Sequence, residues 1–104
     1  MILNEKIIAI IDILELVKER LRFPGTIILR SGFNSQEDVI EELDNHIFKL
    51  RKEDFSNIEE LIILFAPTSD LQEIAIDSGW GQLFLDTAER FDSAIKDLIK
   101  EFNI

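Results

Sequence analysis

Asp70, Glu73 and Asp77 stand three and four residues apart, with Asp86 following them. On a helix the first three share one face. Carboxylates so placed could hold a hard cation, act as acid and base, or attract a cationic protein. A cation fits poorly. Ca²⁺ takes about six to eight oxygens wrapped around it, whereas a helix face presents its carboxylates in a row, and no calcium-loop pattern surrounds them. Acid–base work on a sugar needs a walled cleft with aromatic platforms, and only Trp80 could serve as one. The third use leaves an acidic stripe followed at once by Trp80, with Phe84 behind it. Trp80 is then either a binding anchor, a role in which Trp is enriched, or a packing residue seated on Phe84.

The remaining chemistry is sparse. His46 is the only histidine and there is no cysteine. A nucleophilic triad would therefore have to run through His46. Glu42 lies one turn before it, so the two read as a surface pair at i, i+4. The residue three before His46 is Leu43, which removes the Glu-x-x-His element of a di-iron bundle. No P-loop, G-x-S-x-G, G-x-G-x-x-G or H-E-x-x-H occurs. The sequence thus points to a protein that is not an enzyme, with no catalytic residue, cofactor or metal.

The elements that must position these residues are helices. Ile7, Ile11, Leu14, Val17 and Leu21 form a stripe within a first helix, Asn4 to Arg22. Ile8, Ile10, Ile13 and Leu16 widen it, which predicts either burial on most sides or an exposed apolar patch for self-association. Pro24-Gly25 ends this helix, and Thr26 to Arg30 is either a short strand or an extended linker. A second helix, Gln36 to Arg51, starts at a Ser35 cap and buries Val39, Ile40, Leu43, Ile47 and Leu50. Ser56-Asn57-Ile58-Glu59 reads as a capping box opening a third helix, with Phe55 reaching Leu61 as a staple and Pro67 as the stop. Ser69 to Gln72 is a weaker box opening a fourth helix, closed by a left-handed Gly79. A fifth helix begins near Trp80-Gly81 and runs to Phe102, with Trp80, Phe84, Ala88, Phe91, Ile95, Leu98 and Phe102 in phase. The expected fold is all-α, one domain over residues 1–104, a bundle of about five helices with one or two short extended segments at most.

The chain carries 21 acids against 11 bases, a net charge of −10. Phosphate would be repelled, so direct nucleic-acid binding is excluded, as is attraction to an anionic membrane surface. The first helix is too short and too charged to span a bilayer or to serve as a signal peptide, which predicts a cytoplasmic protein. Residues 53–92 hold almost all of the imbalance, with Arg90 their one base. Along Asp70, Glu73 and Asp77 no neighbouring lysine or arginine intervenes in the sequence. Like charges so spaced oppose their own helix by about 0.2–0.5 kcal/mol per pair. Such a stripe either serves a partner or keeps an apolar protein in solution.

The run from Leu64 to Gly81, with Phe84 and Ala88 to Asp92 after it, is similar to a pattern recurring in small bacterial proteins. No activity comes with that pattern. In size, acidity and helical character the chain resembles the immunity proteins of bacterial toxin systems, contact-dependent growth inhibition among them. That resemblance implies an inhibitor that binds a basic, nuclease-like toxin in the producing cell. It carries over no site residue. The acidic surface would be Asp70, Glu73, Asp77 and Asp86, with Trp80 as anchor. The competing expectation is a regulatory or interaction module, homodimeric through its first helix.

Overall fold

Asn4 caps the first helix by accepting the Lys6 amide on its side chain, and this helix, α1, spans Glu5–Leu21. The computed structural model describes residues 3–104. Four more helices follow: α2 Gln36–Arg51, α3 Ile58–Leu64, α4 Asp70–Asp77 and α5 Gly81–Phe102. Among the described residues there is no strand. The principal packing runs α2 on α1, α1 on α5, α5 on α4 and α4 on α3. The molecule is an all-α bundle measuring 37 × 22 × 20 Å.

Helix α1 is the shared wall of the core. Ile7, Ile10, Ile11, Ile13, Leu14, Val17 and Leu21 are all buried. Each contributes about 1.5–3 kcal/mol relative to an exposed side chain. The isoleucine surplus is therefore absorbed between α2 and α5, with only the edge residue Ile8 exposed among those isoleucines. Of the two expectations for this helix, burial on most sides is the one its isoleucines follow. Opposite α1, Phe84, Phe91, Ile95 and Leu98 of α5 close the core. Phe65 stacks on Phe91 at 4.1 Å and on Phe84 at 5.9 Å, so the end of α3 is pinned to α5 by aromatic faces.

Residues 22–35 connect α1 to α2 as an ordered loop. The Thr26 hydroxyl lies 2.8 Å from the Phe23 carbonyl, and the Gln36 side-chain amide donates to Leu21 and Phe23 carbonyls. The Thr26 hydroxyl also reaches the Leu21 carbonyl at 3.1 Å, so this acceptor, which the end of α1 leaves open, is met by both side chains. The Ile27 amide donates to the Ser78 hydroxyl at 2.8 Å. Thr26 to Arg30 is thus a linker, packed on the core at Ile28 while Ile27 and Leu29 stay exposed. Leu61 to Phe65, the other apolar run that could have paired with it as a strand, is the end of α3 and its C-cap.

The caps differ from one another. Ser35 accepts the Asp38 amide and Ser69 accepts the Gln72 amide, as their sequences imply. The Gln72 side chain returns to the Thr68 amide, one residue short of a full box. At Ser56 the box does not form. Asn57 is the N-cap of α3 and makes no side-chain cap bond. The Asp54 carboxylate takes the Ser56 amide at 3.0 Å, and Lys49 lies on the Ser56 hydroxyl. The Ser56 hydroxyl first, then its amide and the nearby Lys49 ammonium, hold Asp54 below the usual carboxylate range, and these contacts draw Ser56 away from the helix start. Phe55 likewise packs on Phe102, with ring centroids 4.9 Å apart, where Leu61 was expected.

Helix α4 ends in a Schellman motif. The Trp80 amide bonds the Ala75 carbonyl at 2.8 Å and the Gly79 amide bonds Ile76 at 3.2 Å. Gly79 has φ +90°, which a side chain would strain. This turn sets the direction of α5 and places Trp80 at its start.

Candidate functional site

Helix α4 does bring Asp70, Glu73 and Asp77 to one exposed flank, because Leu71, Ile74 and Ala75 are drawn into the core. The stripe is not free, however. Arg30 crosses to it from the loop. Its Nε lies 3.0 Å from Asp77 Oδ2, and Nη2 lies 2.5 Å from Asp77 Oδ1 and 3.2 Å from Glu73 Oε2. The forked guanidinium matches the carboxylate in a bidentate pair. This hydrogen bonding, aided by the positive charge, holds the Asp77 carboxyl below the usual carboxylate range. Asp77 is shielded to 17% exposure while Arg30 remains 63% exposed.

Asp70 abuts the same loop. A Cβ built at Gly32 would fall 2.8 Å from Asp70 Oδ2, which shows how close the carboxylate comes to the loop backbone, although a turn of the exposed Asp70 side chain would relieve the contact. Asp86 is elsewhere on the surface, on the outer face of α5, and accepts a hydrogen bond from Gln82 one turn earlier. The structure therefore gathers Asp70, Glu73 and Asp77 beneath a strap formed by residues 30–32 and leaves Asp86 outside it.

Trp80 is half-buried, with its ring edge-on to Phe84 at 6.4 Å. Its other side borders a cleft of about 220 Å³ lined also by Arg20, Phe23, Pro24 and Ser78. Arg20 sits 5.4 Å from the centre of the Phe23 ring, within cation–π range. Trp80 is thus a packing residue with one accessible face.

Arg90, the one base between residues 53 and 92, lines a depression with Ala9, Asp12 and Asp97 on the α1 side of α5. It does not offset the α4 side. Among the described residues, Glu59, Glu60, Asp70, Asp86, Glu89 and Asp92 make no ion pair. Glu89 and Asp92 were not singled out by the sequence reading. Their signal is the spacing Leu85, Ala88, Glu89, Asp92, which lays them on one flank of α5. Among the described residues no group of three acidic or histidine side chains converges to hold a metal ion.

His46 is not at the surface. It is 4% exposed, between α2 and α3, beside Leu50, Ile58 and Leu61. Helical phase explains this, since His46 stands three after Leu43 and four before Leu50. Its Nε2 is 3.4 Å from Glu42 Oε1, yet the geometry makes no hydrogen bond and the atom has no partner. Burial pushes its pKa below the ordinary value, against the opposing pull of Glu42 and Glu60.

No helix among the described residues is long and apolar enough to cross a membrane. No protein-family model, curated protein or solved structure matches the chain.

Proposed function

We propose that this protein is an acidic binding protein of the immunity type, which neutralises a basic, nuclease-like bacterial toxin inside the producing cell. It acts by docking and carries out no catalysis. The observation that carries this reading is the excess of unpaired carboxylates on the α3–α4–α5 side, where the one local base turns toward α1. A nuclease presents a cationic cleft to phosphate, and a partner with net charge −10 gains steering and fast association toward such a cleft. Asp70 supplies charge that no base pairs, and Asp86, one turn before Arg90 on α5, supplies less. Glu73 and Asp77 supply less, because Arg30 already neutralises part of theirs. Trp80 offers one ring face beside Phe23 as an apolar contact.

Against the competing reading, a homodimer through α1, stands the burial of Ile7, Ile10, Ile11, Ile13, Leu14, Val17 and Leu21, which leaves Ile8 as the exposed isoleucine of that helix. The test is capture from a lysate at low and high salt, followed by addition of the protein to the captured partner's nuclease assay. The reading expects a basic polypeptide, released by salt, whose activity falls to background at equimolar protein. Absence of any salt-sensitive basic partner overturns it.

A further inference from the structure

On the α4 side of α5 lies a groove of about 160 Å³ between the end of α3, the start of α4 and the first three turns of α5. Its floor is the stacked pair Phe65 and Phe84, and its wall is formed by Leu85 and Ala88. Leu85 is 47% exposed although it points along an apolar slot. Glu89 and Asp92 stand at the rim. Neither makes an ion pair among the described residues. No base lines the groove, because Arg90 leaves from the other flank of α5.

The volume is close to that of a cavity that accepts one benzene, about 150 Å³. It therefore suits one aliphatic or aromatic side chain. Two carboxylates a turn apart at the mouth complement cations flanking that side chain. Resting on the functional reading above, we infer that this groove is the docking site for the partner, and that the occupant is a basic protein segment. That segment inserts one large apolar residue over Phe65 and Phe84 while lysines or arginines beside it meet Glu89 and Asp92. The arrangement supplies what the α4 stripe lacks: an apolar anchor surrounded by unpaired charge, the pattern of an interface hot spot.

The slot separates this proposal from general attraction between opposite charges. Leu85→Glu makes the protein more acidic while spoiling the apolar wall. Pure electrostatics predicts tighter binding to any cationic probe, whereas docking in the slot predicts weaker binding. The probes are a short amphipathic Leu/Lys peptide and a Ser/Lys peptide of equal charge, titrated into the full chain by NMR and fluorescence anisotropy. The expected result is that the Leu/Lys peptide shifts amides of Leu85, Ala88, Glu89 and Asp92, and that Leu85→Glu weakens it about tenfold. Glu89→Gln with Asp92→Asn should weaken it and flatten its salt dependence. Ala88→Phe, which fills the slot without changing charge, should also weaken it, with helicity by circular dichroism confirming that the variants fold. Equal binding of both peptides, shifts spread over the other acids, unchanged or tighter binding by Leu85→Glu, or no binding at all overturns the groove. If a nuclease captured from lysate still binds Leu85→Glu at full strength, the inhibitor reading stands and only the groove falls.

Discussion

The Arg30 guanidinium holds the Asp77 carboxylate by two hydrogen bonds, Nε to Oδ2 at 3.0 Å and Nη2 to Oδ1 at 2.5 Å, across 47 residues of chain. This pair fastens the α1–α2 loop to α4. Replacing Arg30 by Met should leave the core intact and loosen the loop. Amide exchange at Ile27, whose N–H is tied to Ser78, should then accelerate, while the α1 core amides keep their protection. Unchanged exchange at Ile27 would show that the backbone tie alone orders the loop. The pair also has a pH window. Asp77 is depressed, so its contribution is present above the ordinary carboxylate value of 3.8 and is lost as pH falls through its lower folded value.

His46 should make stability depend on pH around neutrality. Its folded pKa lies below 6.5, so as pH falls the unfolded chain takes up the proton first. Stability is fully present above about 6.5 and declines as pH drops beneath it. His46→Leu removes a buried nitrogen without a partner and should stabilise the fold by about 1–3 kcal/mol. Urea denaturation at several pH values checks both, with the slope between pH 5 and 7 reduced in the variant.

Two serines that look alike in sequence should behave differently. Ser69→Ala removes a formed cap bond to Gln72 and should cost about 1 kcal/mol. Ser56→Ala removes exposed contacts of its hydroxyl to Lys49, at 3.4 Å, and to Asp54, leaves no cap unmade, and should stay within about 0.5 kcal/mol. Comparison of the two denaturation midpoints decides it. Equal losses would mean that Ser56 caps α3 after all.

Phe91→Ala should be the severe core change. Phe91 is 0% exposed and stacked on Phe65 at 4.1 Å. Truncation should cost about 3–5 kcal/mol, a large part of a stability of about 5–15 kcal/mol. Chemical denaturation measures the loss.

The helices were legible because burial leaves a period. Phe84, Phe91, Ile95 and Leu98 recur at three- and four-residue steps, and they are the buried face of α5. The candidate site was legible only where it lay within one element. Asp70, Glu73 and Asp77 are neighbours on α4, as their spacing requires. Arg30 was invisible as their partner because it comes from a loop, where no period constrains its direction. His46 was misplaced for a simpler reason. Its phase matches Leu43 and Leu50, but a polar residue in an apolar stripe invites a surface reading. The capping box at Ser56 failed because Asp54 and Lys49, both outside the motif, compete for the same serine.

The Asn4 side chain donates to Glu101 Oε2 at 2.9 Å, a contact spanning 97 residues. It marks the seam where α1 closes on α5, the packing partner farthest from it in the chain. The other main pairings join consecutive helices. Closing a loop of that length carries an entropic penalty of about 4 kcal/mol from its length dependence alone. Local helix pairs can form first and cheaply, whereas the long seam gains only after both of its sides exist. Fluctuations that part α1 from α5 would therefore uncover the core of both halves together, making this seam the place where cooperativity is won or lost.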